Sequence, residues 1–361
     1  MDFNNILRND EKCVYNMRAL YEQYGYRQFR MSKFEEYDLY VKNKDFLVSD
    51  NIITFTGMGG KLMALKPDVT FSIIKNTADN PKGITKLYYN ENVYRAAEGN
   101  DFKEIMQTGL ECIGDVDTYN ICEVIMLAMG SLRLTGEDFL LDISHMGFVT
   151  ALLDYVGVES SDKDKVIKCI GEKNTHEIYA ILGDKASCIA DMINAYGDFD
   201  TVINALEKIN VNQNTNSVIE QLKQIKSILA CVEDFDKIHL DFSVTSDLNY
   251  YNGIVLQGYI AGVPSIVLSG GQYDKLMHKM GKKSRAIGFA VYHDVLKQLN
   301  TSGEKYDADV VITYGEAADP KALAAKAREL TGSGMTALVC KEIPTDFKYK
   351  LHIPFDKEGV Q

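Results

Sequence analysis

Three short segments of the sequence carry the side chains that could do chemistry. They hold, in chain order, Asp68, then Gln107 with Glu111, then Tyr250 with Tyr251. A carboxylate can bind an ammonium group, an amide both donates and accepts hydrogen bonds, and tyrosines combine an apolar ring with a hydroxyl group. Together these residue types suit a small zwitterion with a heteroaromatic ring.

Residue spacing does not indicate other kinds of site. The six histidines form no metal-ligand pair such as H-x-x-x-H, and the seven cysteines form no C-x-x-C pair. We therefore expect no metal site, no disulfide framework and no cofactor. The glycine-rich residues 57–60 are not followed by the Lys-Ser/Thr of a phosphate-binding loop, so they predict a hairpin turn.

Composition and charge narrow the class of protein. Of the 361 residues, 46% are hydrophobic and 25% are charged, which is typical of a globular protein. The longest apolar runs, such as residues 124–129, are far too short to span a bilayer, and the N-terminus has no basic segment followed by an apolar one. We expect a cytoplasmic protein. The net charge of -12 disfavours a broad nucleic-acid surface.

Hydrophobic patterns indicate the elements that must position these side chains. A first helix is expected to end at Gly25. Residues 87–95 and 105–113 are predicted to form two antiparallel strands joined by a loop over residues 96–103. Apolar residues at helical spacing from 121 to 132 predict the next helix. Gln107 and Glu111 would then lie on the second strand of a hairpin.

The second half of the chain is predicted to contain a helical insertion and further strands. The insertion covers about residues 148–235, where apolar residues recur at helical spacing. The later strands are predicted at residues 238–244, 250–260, 263–268 and 286–291. Because short turns join strands that neighbour in sequence, the sheet should be mostly antiparallel.

A polar linker separates a C-terminal unit from the rest. Beyond it, a strand at 308–313, a helix at 320–330 and a strand at 335–339 predict a small β-α-β unit. We therefore predict a core domain over residues 1–300 and a small α/β unit over residues 301–361.

Motifs spread over about residues 17–299 resemble those of the histidyl-tRNA synthetase family. They are L-K-P-D-V-T at 65–70, V-Y-R at 93–95, Q-T-G-L-E at 107–111, L-N-Y-Y-N-G at 248–253, G-G-Q-Y-D at 270–274 and A-I-G-F-A at 286–290. The family includes a paralogue that is not a synthetase, the regulatory subunit of ATP phosphoribosyltransferase.

This resemblance implies the fold. It is an α+β fold, with the antiparallel sheet of a class II aminoacyl-tRNA synthetase flanked by helices and interrupted by the helical insertion. The C-terminal unit is similar to a truncated part of an anticodon-binding domain.

The resemblance also implies a binding site for a histidine-like ligand. Its residues are Asp68, Arg95, Gln107, Glu111, Tyr250, Tyr251 and Tyr273, with Gln107 and Glu111 near the ammonium group and the tyrosines around the imidazole. Two alternatives stay open. Tyr250 and Tyr251 would be core and rim positions if they only supported a strand, and Arg95 would be structural if it paired with a neighbouring carboxylate such as Glu111.

Several residues depart from the synthetase pattern. Ser246 stands where the synthetases have an arginine before G-L-D-Y-Y, Tyr292 replaces a glycine of motif 3, and Val295 replaces its arginine. The motif 2 loop over residues 96–103 holds two acids and one lysine. Each missing cation costs roughly 3 kcal/mol in the transition state, about a hundredfold in rate. The resemblance therefore implies no catalytic residues and no activity of its own.

These departures favour a regulatory subunit of ATP phosphoribosyltransferase in histidine biosynthesis, whose partner would be the short-form catalytic subunit. A divergent histidyl-tRNA synthetase is the enzyme alternative, but the short C-terminal unit makes tRNA an improbable partner. An orphan histidine-binding paralogue is a third interpretation. Motif 1, at residues 25–35, implies a homodimer, although Ser32 replaces its proline.

Overall fold

The computed structural model of the protein describes residues 7, 9–43, 52–96, 101–245, 250–296, 306–356 and 359–360. The chain divides into two compact units. The larger contains residues 8–299, and the smaller contains residues 300–361 together with residues 1–7.

The described residues in the N-terminal part of the larger unit form three α-helices and four short strands. These are α1 (Asn9–Gln23), β1 (Arg27–Gln28), β2 (Phe34–Glu36), α2 (Asp38–Val41), β3 (Thr54–Thr56), β4 (Leu62–Leu65) and α3 (Thr70–Asn76). Strands β2, β4 and β3 form a small antiparallel sheet. A 3-10 turn at Met58–Gly60 joins β3 to β4, so the predicted hairpin turn is confirmed.

A nine-stranded sheet organises the larger unit. Besides β1, its strands are β5 (Ile84–Ala96), β6 (Phe102–Gly114), β7 (Phe139–His145), β8 (Tyr196–Gly197), β9 (Ile238–Asp241), β10 (Ile254–Ile260), β11 (Leu268–Gln272) and β12 (Arg285–Tyr292). Their order is β1-β5-β6-β12-β11-β10-β7-β9-β8. Among the described strands of this sheet, the pairs β1–β5 and β7–β9 are parallel and the others are antiparallel. The predicted mostly antiparallel sheet, with its β5–β6 hairpin, is confirmed.

Helices cover the sheet and fill the region between β7 and β9. They are α4 (Thr118–Arg133), α5 (Met146–Val156), α6 (Lys163–Gly171), α7 (Thr175–Leu182), α8 (Ser187–Asn194), α9 (Phe199–Lys208), α10 (Gln213–Leu229), α11 (Asp274–Lys279) and α12 (His293–Leu296). Helix α4 begins at a capping box, in which the Asp117 side chain accepts a hydrogen bond from the Asn120 backbone. Its apolar residues belong to the main buried core.

Two strand predictions are wrong at their start, and the strand predicted at 238–244 ends already at Asp241. The strand predicted at 263–268 begins only at Leu268, because Gly262 has a left-handed backbone (φ +80°) and Pro264 follows it, which favours a turn. The strand predicted from residue 250 begins at Ile254, so Tyr250 and Tyr251 precede β10. Neither tyrosine is a strand residue.

The smaller unit contains β13 (Ala308–Tyr314), α13 (Pro320–Gly332), β14 (Ala337–Cys340), β15 (Tyr349–Asp356) and β16 (Gly359–Val360). Strand β13 is parallel to both β14 and β15. The β-α-β unit was predicted, whereas β15 was missed. The alternation of Tyr349, Leu351, Ile353 and Phe355 is the signal that would have found it. No helix in the described part of the chain is long and apolar enough to cross a membrane.

Candidate functional site

The predicted binding residues surround one cavity in the larger unit. Its volume is about 320 Å³. Strands β5, β6, β11 and β12 line it, together with the start of α3 and the segments before β10 and α11. All seven residues proposed from the sequence line this cavity: Asp68, Arg95, Gln107, Glu111, Tyr250, Tyr251 and Tyr273. The structure therefore brings them together, and ligand binding stays a prediction.

The register of the sheet explains why Gln107 and Glu111 share the cavity. They are four residues apart on β6, and alternate residues of a strand face the same side. Gly288 on β12 lies opposite Glu111. A side chain at Gly288 would collide with the Glu111 carboxylate, so the glycine makes room for it.

Glu111 is the central acid of the cavity and is only 2% exposed. Its carboxylate accepts hydrogen bonds from Thr70 Oγ1 at 3.1 Å and from the Tyr273 hydroxyl at 2.6 Å. Burial raises the pKa of Glu111 to about 8, although these two hydrogen bonds oppose the rise. At neutral pH the acid is therefore mostly protonated in the empty cavity, and an incoming ammonium group would favour its ionised form.

This raised pKa predicts how stability depends on pH. Between the ordinary pKa of 4.5 and about 8, the folded protein keeps a proton on Glu111 that the unfolded chain has lost. Glu111 therefore makes the free energy of unfolding fall as pH rises, by up to about 1.4 kcal/mol per pH unit. Glu111→Gln should remove this contribution. Urea unfolding at pH 5.5, 6.5 and 7.5 measures this effect. The free energy of unfolding of the variant should increase relative to that of the wild type as pH rises. A difference that does not change with pH would contradict the raised pKa of Glu111.

Tyrosine rings form one wall of the cavity. The ring centroids of Tyr250 and Tyr251 are 4.6 Å apart, and those of Tyr250 and Tyr273 are 6.1 Å apart. Burial is the main cause that holds the pKa of each of these hydroxyls well above 10, so all three are neutral. Neutral hydroxyls at the end of apolar rings suit a ligand with its own aromatic ring and hydrogen-bonding groups.

Tyr89 is a cavity residue that the sequence analysis missed. It lies on β5 opposite Gly109 of β6 and is 2% exposed. A side chain at Gly109 would meet the Tyr89 ring, so the glycine leaves space for the tyrosine. The signal was present, because the predicted hairpin places this residue level with the Q-T-G-L-E motif.

Arg95 does not pair with Glu111. Its Nε donates to the carbonyl oxygen of Pro67 at 3.2 Å, whereas Glu111 is bound by Thr70 and Tyr273. Arg95 therefore does not pair with Glu111, but its charge interacts with the neighbouring carboxylate of Asp68, so the alternative of a structural ion pair stays a prediction.

Asp68 lies beside Arg95. Its carboxylate accepts from the Phe71 backbone N–H at 3.2 Å. Burial raises the pKa of Asp68, and the positive charge of Arg95 opposes that rise. The two side chains therefore place opposite charges at one end of the cavity.

The cavity contains little positive charge. Among the residues that the structure describes, Arg95 is the one lysine or arginine in its lining. The neighbouring Lys66 is fully buried and lies 2.9 Å from Glu91, so its charge is already paired. A polyphosphate would meet one cation here.

One of the departures from the synthetase pattern, Tyr292, lies at this end of the cavity, and another, Val295, does not line it. Tyr292 is the last residue of β12, is half-buried and lines the cavity beside Arg95. Val295 on α12 packs against the main apolar core. Ser246 and residues 97–100 of the motif 2 loop, for which departures were also predicted, lie outside the described residues.

The sheet, its flanking helices and the cavity define a protein with the class II aminoacyl-tRNA synthetase-like fold. Residues 5–296 match the family model of histidyl-tRNA synthetase, and the chain belongs to this family. The predicted resemblance is thereby confirmed.

Two relatives with the same name show which members of the family the chain resembles. The chain is 28% identical over 319 residues to the ATP phosphoribosyltransferase regulatory subunit of Acetivibrio thermocellus, covering 83% of this chain and 75% of the relative. It is 29% identical over 304 residues to the subunit of the same name from Oceanobacillus iheyensis, covering 81% and 75%.

Solved structures share the fold. An ATP phosphoribosyltransferase regulatory subunit/histidyl-tRNA synthetase from Bacillus halodurans has a TM-score of 0.77 at 22% identity, covering 96% of this chain and 94% of that one. A chain of the ATP phosphoribosyl transferase (HisG:HisZ) complex from Thermotoga maritima has a TM-score of 0.63 at 20% identity, covering 79% and 97%.

Proposed function

We propose that the protein is a regulatory subunit of ATP phosphoribosyltransferase and does not form an aminoacyl adenylate itself. One observation carries this proposal. The part of the cavity suited to an amino acid keeps Gln107, Glu111 and its tyrosines, whereas Tyr292 occupies the end beside Arg95, the one cation among the described lining residues. The names of the curated relatives support the same function.

We further propose histidine as the ligand of the cavity. The volume of about 320 Å³ suits a small molecule. Glu111 supplies a carboxylate for the ammonium group, and Tyr250, Tyr251 and Tyr273 surround the side chain. Histidine, the end product of the pathway, would then regulate the enzyme complex. A bound ligand shifts a protein toward the conformation that binds the ligand more tightly.

The partner would be a short-form catalytic subunit. The solved complex from Thermotoga maritima contains a chain that shares this fold, which supports such an assembly. We also propose that the protein is a homodimer through residues 25–35 and the sheet beside them. Phe34 and Leu62 of that sheet are each about half exposed, at 50% and 48%, so a second copy would cover apolar surface.

Reconstitution tests the proposal. The purified protein should sediment as a homodimer and as a larger complex when mixed with a short-form catalytic subunit. ATP phosphoribosyltransferase activity should then change with histidine by about 5- to 150-fold, the range of typical coupling between sites. The Glu111→Gln variant should still assemble with the catalytic subunit, but the activity of that complex should change less with histidine.

Two outcomes would contradict parts of this proposal. If the proteins do not assemble and the activity of the catalytic subunit is unchanged, the regulatory function is wrong. If histidine still binds in that case, the protein is a free-standing histidine-binding member of the family.

A further inference from the structure

Tyr292 occupies a defined position at one end of the cavity. It lies opposite Gln107 in the β6–β12 pairing, and its phenol interacts with the charges of Arg95 and Asp68 and with Ser269 of β11. Burial raises the pKa of Tyr292, so the hydroxyl is neutral. The phenol therefore lies at the Arg95 end of the cavity.

The backbone on both sides of Tyr292 is anchored. Its N–H donates to the carbonyl oxygen of Val267 at 2.8 Å. The next residue, His293, is 1% exposed and its Nε2 lies 2.8 Å from Thr108 Oγ1. Because these contacts hold the end of β12, a ligand that needs the space of the ring cannot gain it by a shift of the strand.

The charges of the cavity orient an amino acid within it. Its carboxylate is drawn to the guanidinium of Arg95, the lining cation of the described residues, and its ammonium group to the two lining carboxyl groups, Glu111 and Asp68. An amino acid bound in this way points its carboxyl group at Tyr292. A substituent attached to that carboxyl group would extend into the volume of the phenol ring.

We propose that Tyr292 is a specificity-determining residue that rejects amino acids with a bulky group on the carboxyl carbon. This inference rests on the proposed binding of histidine. It predicts that the protein distinguishes free histidine from histidine joined to another group through its carboxyl carbon.

The test compares histidinamide with histidine N-benzylamide, since both lack the carboxylate charge and differ only in bulk. Calorimetry with the wild-type protein should show the benzylamide binding at least about tenfold more weakly, because overfilling a packed site is costly. In Tyr292→Gly the two amides should bind within about threefold of each other. Tyr292→Phe keeps the ring and should keep the discrimination. If Tyr292→Gly does not fold, Tyr292→Ala replaces it, and the ratio of the affinities for the two amides is measured in the same way.

The outcomes separate the two proposals. If the wild type binds histidine but binds both amides equally or neither of them, or if both small variants keep the discrimination, the inference about Tyr292 is wrong and histidine binding stands. If the wild type binds neither histidine nor histidinamide at millimolar concentration, the proposed ligand is wrong and the inference fails with it.

Discussion

The purified protein should not support histidine-dependent exchange between ATP and pyrophosphate. Adenylate formation needs cations around a polyphosphate whose charge redistributes in the transition state, and each missing contact costs roughly 3 kcal/mol. Val295 replaces the arginine of motif 3, and Ser246 replaces a second arginine of the synthetases. Tyr292 replaces a glycine of motif 3. The two missing arginines alone should lower the rate by about ten-thousandfold.

A full-length histidyl-tRNA synthetase measured under the same conditions is the positive control for this exchange. Exchange above background would have to depend on Arg95, the cation that lines the described cavity. Exchange by the wild type that disappears in Arg95→Ala would show that the protein is a synthetase. Exchange that persists in Arg95→Ala would point to a contaminating enzyme.

Glu111→Ala should weaken histidine binding by about ten- to a hundredfold. A charge-assisted hydrogen bond to the ammonium group in a buried site is worth roughly 1.5–3 kcal/mol, which corresponds to that change in affinity. Tyr251→Phe should cost less, because it removes a neutral hydroxyl and keeps the ring. Calorimetry of the wild type and both variants measures these effects, with alanine as the control ligand.

The pH dependence of binding gives this prediction a second readout. Since the pKa of Glu111 in the empty cavity is about 8, only a minor fraction of the protein carries the ionised carboxylate at pH 7. Histidine affinity should therefore rise about fivefold between pH 7 and pH 8, and Glu111→Gln should remove the rise.

Glu104→Ala is the matched control for both readouts. Glu104 is an exposed carboxylate on the same strand, β6, outside the cavity lining. Its removal should leave both the affinity and its pH dependence unchanged. An affinity that is the same in Glu111→Ala and the wild type would mean that Glu111 supports the core only and that histidine acts elsewhere.

Much of the fold could be predicted because local patterns encode it. The hairpin of β5 and β6 follows from two alternating segments around a polar loop, and α4 follows from apolar residues at helical spacing. The predictions failed where a turn interrupts an apolar segment. Residues 263–268 contain enough apolar side chains for a strand, but the backbone at Gly262 and Pro264 turns the chain before β11 begins.

The sequence by itself determined the family, the mostly antiparallel sheet and the chemical types at the cavity, since the motifs and the strand periods are local. Only the tertiary structure decided which groups interact. Glu111 is bound by Thr70, 41 residues away, and by Tyr273, 162 residues away, rather than by Arg95. Its raised pKa comes from burial among these distant segments. Periodicity describes which face of an element a residue occupies, but partner choice and burial depend on how separate elements pack, and that is a property of the folded chain.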